Sequence, residues 1–180
     1  MTAKRIEAVL RPASVAVVGA SDTPGSIGEV LCRNLREGGF RGPVFYVNPR
    51  HATIGDKPSY PDVRSLPQPV DVAIVATPPP TLPMVLEHCG ERGVRGAIIV
   101  SAGFREGGEA GAAWERSMLQ VARRYGLRLL GPNSFGVIRT DNGFNASCGA
   151  ALPQPGRLAL VSQSSALCAA TLDWARSRHV

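Results

Sequence analysis

Aromatic residues are scarce: five Phe, three Tyr and two Trp make up 6% of 180 residues. A core must therefore be built from Val, Leu, Ile and Ala, and a hydrophobic content of 44% is enough to build one. Lysine is nearly missing. Lys4 and Lys57 are the only two, so Arg supplies almost all of the 20 basic residues set against 14 acidic ones, for a net charge of +6. Those arginines are scattered, and the only adjacent pair, Arg123-Arg124, reads as a solvated helix face. Nucleic-acid binders gather basic residues on one stripe with aromatics between them. No nucleic acid is expected here; the surplus suits an anionic small ligand.

No apolar run approaches the roughly 18 residues that a membrane span needs. The opening Met-Thr-Ala-Lys-Arg-Ile-Glu has no apolar stretch that would predict a secretory signal. The four cysteines, Cys32, Cys89, Cys148 and Cys168, form no C-x-x-C pair. Reduced thiols in a cytoplasmic protein and no metal site are the expectation. With only 19% charged residues, disorder, coiled coil and collagen are excluded.

Glycine and proline are plentiful, at 20 and 15, and they punctuate a regular pattern. Short apolar runs, most of them rich in β-branched residues, at 14–18, 44–47, 71–76, 96–100 and 127–130 predict strands. The segments 27–37, 81–92 and 109–125 predict helices, the last with Trp114, Met118, Val121 and Ala122 turned inward. Strands without alternation, followed by helices, indicate a parallel sheet covered on both faces. The predicted fold class is α/β, a Rossmann-like doubly wound parallel sheet over residues 1–155. Residues 132–156 interrupt the rhythm with Gly, Asn, Pro and Ser. A strand at 157–161, a turn at 162–165 and a helix at 166–178 then read as the first strand and helix of a second α/β domain, 156–180. The polypeptide reads as part of something longer.

Open α/β sheets bind ligands beyond the carboxyl ends of their strands. Those ends are Gly- and hydroxyl-rich here, which suits close backbone approach to phosphate at helix N-termini. The first loop carries Gly19, Gly25 and Gly28 but is not G-x-G-x-x-G. A phosphate loop is the reading favoured by its position, against a turn that merely packs helix on strand. After the second strand a nicotinamide enzyme places an acidic residue for the ribose, whereas this chain has Asn48-Pro49-Arg50. A guanidinium suits a phosphorylated ribose. Residue chemistry alone leaves NADP and coenzyme A both open, beside a solvated Arg50. Thr77-Pro78-Pro79-Pro80 favours helix initiation and offers a rigid apolar surface.

Together these segments resemble the CoA-binding domain of the succinyl-CoA synthetase α-subunit and of ADP-forming acyl-CoA synthetases. The residues that carry the likeness are Leu10-Arg11-Pro12, Ser14 to Ser21, Val47 to Arg50, Ala76 to Pro79, Leu130 to Ile138 and Leu160 to Leu167. Within that superfamily, residues 143–147, Ser165 and residues 171–175 look most like bacterial lysine acetyltransferases that fuse a synthetase-like portion to a GNAT domain. The alternative is a true ADP-forming acetyl-CoA synthetase, and an NADP-binding domain is the third reading.

The resemblance implies coenzyme A or acetyl-CoA as cofactor. Gly19, Ala20, Ser21, Thr23 and Gly25 would lie at the phosphates, and Arg50, beside Asn48 and Pro49, would face the 3′-phosphate. Thr77 and Pro78 would flank the adenosine end. Ser101, Ala102 and Gly103 would run along the pantetheine, and Asn133 and Ser134 would approach the thiol. Ser162, Ser164 and Ser165 resemble a helix N-terminus that stabilises phosphohistidine. The position of Ser134 is usually Cys in succinyl-CoA synthetases, and Ala169 aligns with a succinate-holding Tyr, so succinate is not expected. His51, His88 and His179 do not match the family's Gly-His-Ala-Gly setting, so no catalytic residue is assigned within the chain. The implied partners are CoA or acyl-CoA and the remaining domains of the parent chain; a homo-oligomer is compatible with them, and no membrane partner is expected.

Overall fold

The structure, a computed structural model, describes residues 3–150 and 153–178; His179 lies outside them. The elements in order are α1 (Ala3–Leu10), β1 (Val15–Val18), α2 (Ile27–Glu37), β2 (Val44–Val47), β3 (Thr53–Ile54), β4 (Lys57–Tyr60), β5 (Val72–Val75), α3 (Leu82–Glu91), β6 (Gly96–Ile99), α4 (Gly108–Tyr125), β7 (Arg128–Leu130), β8 (Gly136–Arg139), β9 (Phe144–Ser147) and α5 (Ser165–Arg178). Seven strands form one sheet in the order β3-β4-β2-β1-β5-β6-β7. All its pairings are parallel except β3 with β4. The Rossmann-like doubly wound architecture is therefore present. Among the described residues no helix is long and apolar enough to cross a membrane.

The strand residues alternate between two buried faces. Ala16, Val18, Ala73 and Val75 pack with Leu82, Leu86, Cys89 and Met118 of α3 and α4. Val15, Val17, Val72 and Ile74 pack with Leu31, Cys32 and Leu35 of α2. Strands buried on both sides read as continuous apolar runs, which is why β1, β5 and β6 were legible. Trp114, expected on the inner side of α4, is exposed instead. The buried stripe of α4 runs through Gly111, Met118 and Ala122, and Trp114 falls at its edge.

α1, β3, β4 and the antiparallel hairpin of β8 and β9 are not evident from the sequence pattern. Residues 136–147 looked irregular because Gly, Asn and Thr crowd them. Every residue of β9 is nonetheless buried, against α2. Phe144 and Phe40 meet with ring centroids 5.4 Å apart. Asn34, on the otherwise apolar face of α2, is 2% exposed. Its Nδ2 donates to the carbonyls of Ser147 at 2.9 Å and Gly149 at 2.8 Å. The Ser147 hydroxyl donates to Asn145 Oδ1 at 2.6 Å and accepts from the Gly149 N–H at 3.2 Å. A buried polar group is tolerated only when partnered, and this network partners all four residues.

The strand expected at 157–161 is absent. Residues 157–161 are exposed coil, with Leu158 at 86% and Val161 at 96% exposure. A strand needs a hydrogen-bonding neighbour, and no described strand lies beside this segment. The helix that follows does form, as α5, yet it buries no residue.

Two predictions follow from the core. Asn34→Ala leaves two buried carbonyls without donors and should lower unfolding stability by about 2–3 kcal/mol in urea denaturation. A loss below about 0.5 kcal/mol would show that the hairpin does not depend on this amide. The second concerns alkaline pH. Burial pushes the Cys89 thiol up to about 12 and, offset in part by the Ser21 N–H, the Cys32 thiol up to about 11. A thiol held protonated by folding contributes stability that is complete below its unfolded value near 9. That contribution is lost as pH rises through 11 and 12. Unfolding free energy should therefore fall above pH 9 by about 1.4 kcal/mol per pH unit for each thiol. Replacing both cysteines with Ala should flatten that part of the profile.

Candidate functional site

In the sheet order, β1 lies between β2 and β5. The chain leaves β1 toward one side first and returns on the other, so the strand order reverses at β1. In open α/β sheets such a reversal point is where ligands bind, so the loops after β1 and β5 mark the candidate site. Gly19 opens the first loop with φ +88°. A Cβ there would sit 2.9 Å from the Ala76 carbonyl oxygen and 3.1 Å from Thr77 Cγ2. Only glycine lets the two loops come this close.

The loop then turns into α2. Ser26 caps the helix by accepting the Glu29 N–H at 3.2 Å, and Glu29 holds Arg33 through both carboxylate oxygens at 3.0 and 3.1 Å. Gly28 lies so close to the Gly19 carbonyl and the Ser21 nitrogen that no Cβ fits. Gly25, at φ +77°, faces open space. Three glycines at an unfamiliar spacing thus supply a tight turn, an open stretch and a close helix-to-strand contact, the three features a phosphate loop needs.

The availability of the loop's N–H groups differs from the sequence expectation. Gly19 and Ala20 donate to the Val47 carbonyl at 2.9 and 3.3 Å. Ser21 donates to the Cys32 sulfur beneath the loop, and Thr23 donates to Ser21 Oγ at 3.0 Å. Ala20 is fully buried. Among the described residues, the N–H groups of Asp22, Gly25, Ile27 and Gly28 have no intramolecular acceptor. Of these, only Gly25 was singled out from the sequence. The Ser26-x-x-Glu29 capping pattern is the signal that starts the helix at Ile27 and leaves the Ile27 and Gly28 N–H groups without intrahelical acceptors.

The neighbouring loops are joined laterally. Asn48 Nδ2 donates to the Ala20 carbonyl at 2.8 Å, and Asn48 Oδ1 accepts the Arg50 N–H at 2.9 Å. Pro49 and Arg50 are exposed, and among the described residues no carboxylate lies within ion-pair distance of the Arg50 guanidinium. The Thr81 hydroxyl lies 2.8 Å from that of Thr77 and donates to the Pro78 carbonyl at 2.7 Å. Pro78 is exposed and Thr77 half-buried.

On the far side of β5, Ser101 is buried and its hydroxyl faces the Val75 carbonyl at 3.4 Å. Ala102 and Gly103 are exposed. The Gly103 N–H donates to Glu106 Oε1 at 2.8 Å. That bond, with the N–H groups of Glu106 and Phe104, holds the Glu106 carboxyl below the usual carboxylate range. Asn133, at φ +51°, donates its N–H to the Ser101 carbonyl at 2.9 Å. Ser134 donates its N–H to the Ile99 carbonyl at 3.2 Å and accepts the Gly136 N–H on its hydroxyl at 3.0 Å. The predicted residues of the five loops therefore lie along one edge of the sheet. Ser162, Ser164 and Ser165 stand apart. Ser164 Oγ accepts the Leu167 N–H at 3.2 Å and caps α5, Ser162 Oγ accepts the Ser164 N–H, and among the described residues no hydrogen bond ties them to the other loops.

This edge can hold a long polyanionic ligand: free N–H groups and an unpaired guanidinium lie at one end, and small residues at the other. It also makes a steric prediction. Gly19→Ala should cost roughly 3 kcal/mol through strain and collision with Ala76, whereas Gly25→Ala should cost about 1 kcal/mol through strain alone. Equal losses in urea denaturation would contradict the close approach.

Residues 13–140 match the CoA binding domain family. The chain is 42% identical over 175 residues to acetate–CoA ligase [ADP-forming] I of Archaeoglobus fulgidus, covering 97% of this chain and 25% of the relative. It is 44% identical over 173 residues to the α-subunit of acetate–CoA ligase [ADP-forming] I of Pyrococcus furiosus, covering 94% and 37%. Among solved structures, an acetyl-coenzyme A synthetase of Ca. Korarchaeum cryptofilum in complex with phosphate and ADP superposes with a TM-score of 0.88 at 36% identity, covering 94% of this chain and 36% of that one. The chain thus spans between a quarter and two fifths of these relatives' length. Its matched segment runs from just before β1 into the hairpin and takes in all five strand-end loops, and the chain belongs to the CoA binding domain family.

Proposed function

We propose that this chain is the CoA-binding part of an ADP-forming acyl-CoA synthetase. The observation that carries the reading is the close approach of the Gly19 backbone to Ala76 and Thr77 at the reversal of strand order, with free N–H groups at the start of α2 and, among the described residues, an unpaired Arg50 guanidinium on the next loop. These residues fit CoA. The pyrophosphate would lie over residues 19–28, with the N–H groups of Asp22, Gly25, Ile27 and Gly28 as donors, and Arg50 would meet the 3′-phosphate. Thr77 and Pro78 would flank the adenosine. Ser101, Ala102 and Gly103 would lie along the pantetheine, ending at Asn133 and Ser134.

The relatives described above are ligases, so the ligase reading is better supported than the acetyltransferase one. Residues 143–147, part of that second likeness, have a packing explanation besides: they form β9 and its approach and bury Phe144, Asn145, Ala146 and Ser147 against α2. Catalysis would belong to domains outside residues 1–155, and this chain alone would bind CoA without turnover. Residues 156–180 fit the beginning of a further α/β domain. The exposed Leu158, Leu160 and Val161, with Leu167 and Trp174 on α5, are apolar surface that such a domain would cover. Ser162, Ser164 and Ser165 would then offer an anion site at the start of α5 within that domain.

Calorimetry on the 180-residue chain tests the binding. CoA should bind, and 3′-dephospho-CoA should bind about tenfold more weakly, since a charge-assisted contact contributes about 1.5 kcal/mol or more. Arg50→Ala should weaken CoA to the level of dephospho-CoA and leave the latter unchanged. Tight NADPH binding, or no shift in melting temperature with millimolar CoA, would reject the proposal.

A further inference from the structure

We infer that Asn48 is a positioning residue that sets the spacing between the phosphate loop and Arg50, and touches no ligand itself. The inference rests on the CoA reading only for what is positioned. The geometry is independent of it. In a nicotinamide-binding fold this strand end presents a carboxylate to the ribose, and an asparagine there looks like a substitute ligand. Its groups are already engaged. Nδ2 donates to the Ala20 carbonyl at 2.8 Å, and Oδ1 accepts the Arg50 N–H at 2.9 Å. The Asn48 N–H donates to the Tyr60 carbonyl at 2.9 Å, and its carbonyl accepts from Ser59 Oγ at 3.4 Å.

One side chain thus spans two loops that are 28 residues apart in sequence, and its main chain is pinned to β4. Gly19 and Ala20 are tied to the same strand end through the Val47 carbonyl. Freed of Asn48, residues 49–51 would keep only the chain itself to direct them, since Arg50 and His51 are exposed. An acidic residue at 48 would put a carboxylate against the Ala20 carbonyl, two acceptors facing each other with no proton between them. The amide is therefore required on the Ala20 side, and the carbonyl oxygen on the Arg50 side. The consequence is a selectivity device: the amide draws the Arg50 backbone in and leaves the guanidinium as the polar group presented outward, suited to a phosphorylated ribose.

The test is a double-mutant cycle in the 180-residue chain, read as the ratio of affinities for CoA and 3′-dephospho-CoA. Asn48→Ala should cut the preference for CoA about fivefold, the equivalent of one hydrogen bond. In the Arg50→Ala background the same substitution should leave the ratio unchanged. A role in stability alone would lower the melting temperature without moving the ratio, and that result in a folded Asn48→Ala overturns the inference. Amide exchange in the unsubstituted chain supplies a second readout that needs no variant. The Arg50 N–H should exchange roughly tenfold or more below its intrinsic rate despite its exposure, and exchange at the intrinsic rate would also overturn the inference. If the unsubstituted chain binds no CoA, the function proposal fails. The Arg50 exchange rate then decides by itself whether the brace exists.

Discussion

Position 19 has no room for a side chain, and the site depends on that constraint. The backbone of Gly19 lies against the Ala76 carbonyl and the Thr77 methyl, so the loops after β1 and β5 meet at the reversal of the strand order. Gly28 lies as close to the Gly19 carbonyl from the other direction. This draws the start of α2 onto the strand end and directs its unpaired N–H groups past the loop. The site is thus shaped by backbone contacts, with side chains added at its margins. That is an economical way to approach phosphate, whose oxygens are met by N–H donors and whose charge favours a helix N-terminus.

A second level of organisation runs sideways along the strand ends. The Val47 carbonyl takes two N–H groups from the first loop, Asn48 joins that loop to the next, and Ser101 and Asn133 join the last two. Each bond is modest alone, about 1 kcal/mol net. Their value is geometric, because a ligand that crosses all five loops is recognised only if the spacing among them is kept. Many polar groups that look like ligands in the sequence turn out to maintain this spacing. Ser21, Ser101 and Asn48 all direct a polar group inward.

The hairpin of β8 and β9 shows how a polar-looking stretch can belong to the core. Asn34, Asn145 and Ser147 satisfy one another and the nearby carbonyls, so burying them costs little relative to leaving them unpaired. Glycines 38 and 143 let the helix end and the hairpin approach, since a Cβ on Gly38 would lie 2.6 Å from the Gly143 carbonyl oxygen. The hairpin follows directly from the loop that holds Asn133 and Ser134. Its attachment to α2 links that end of the site to the helix that begins after the loop of residues 19–25.

The sequence by itself determined the parallel sheet, because continuous apolar runs at β1, β5 and β6 leave no exposed face. It also located the glycine- and hydroxyl-rich loops at the carboxyl ends of the strands, and it marked Arg50 as the cation where a nicotinamide-binding fold has a carboxylate. Hydrogen-bond direction was not legible: the same Asn48 can face a ribose or a carbonyl, and only the fold brings Ala20 within 2.8 Å of it. Nor could sequence pattern find β9, whose burial depends on α2 more than a hundred residues earlier. The expected strand at 157–161 failed for a related reason. Apolar residues make a strand only where a neighbouring strand accepts their hydrogen bonds, and tertiary structure decides whether one is there.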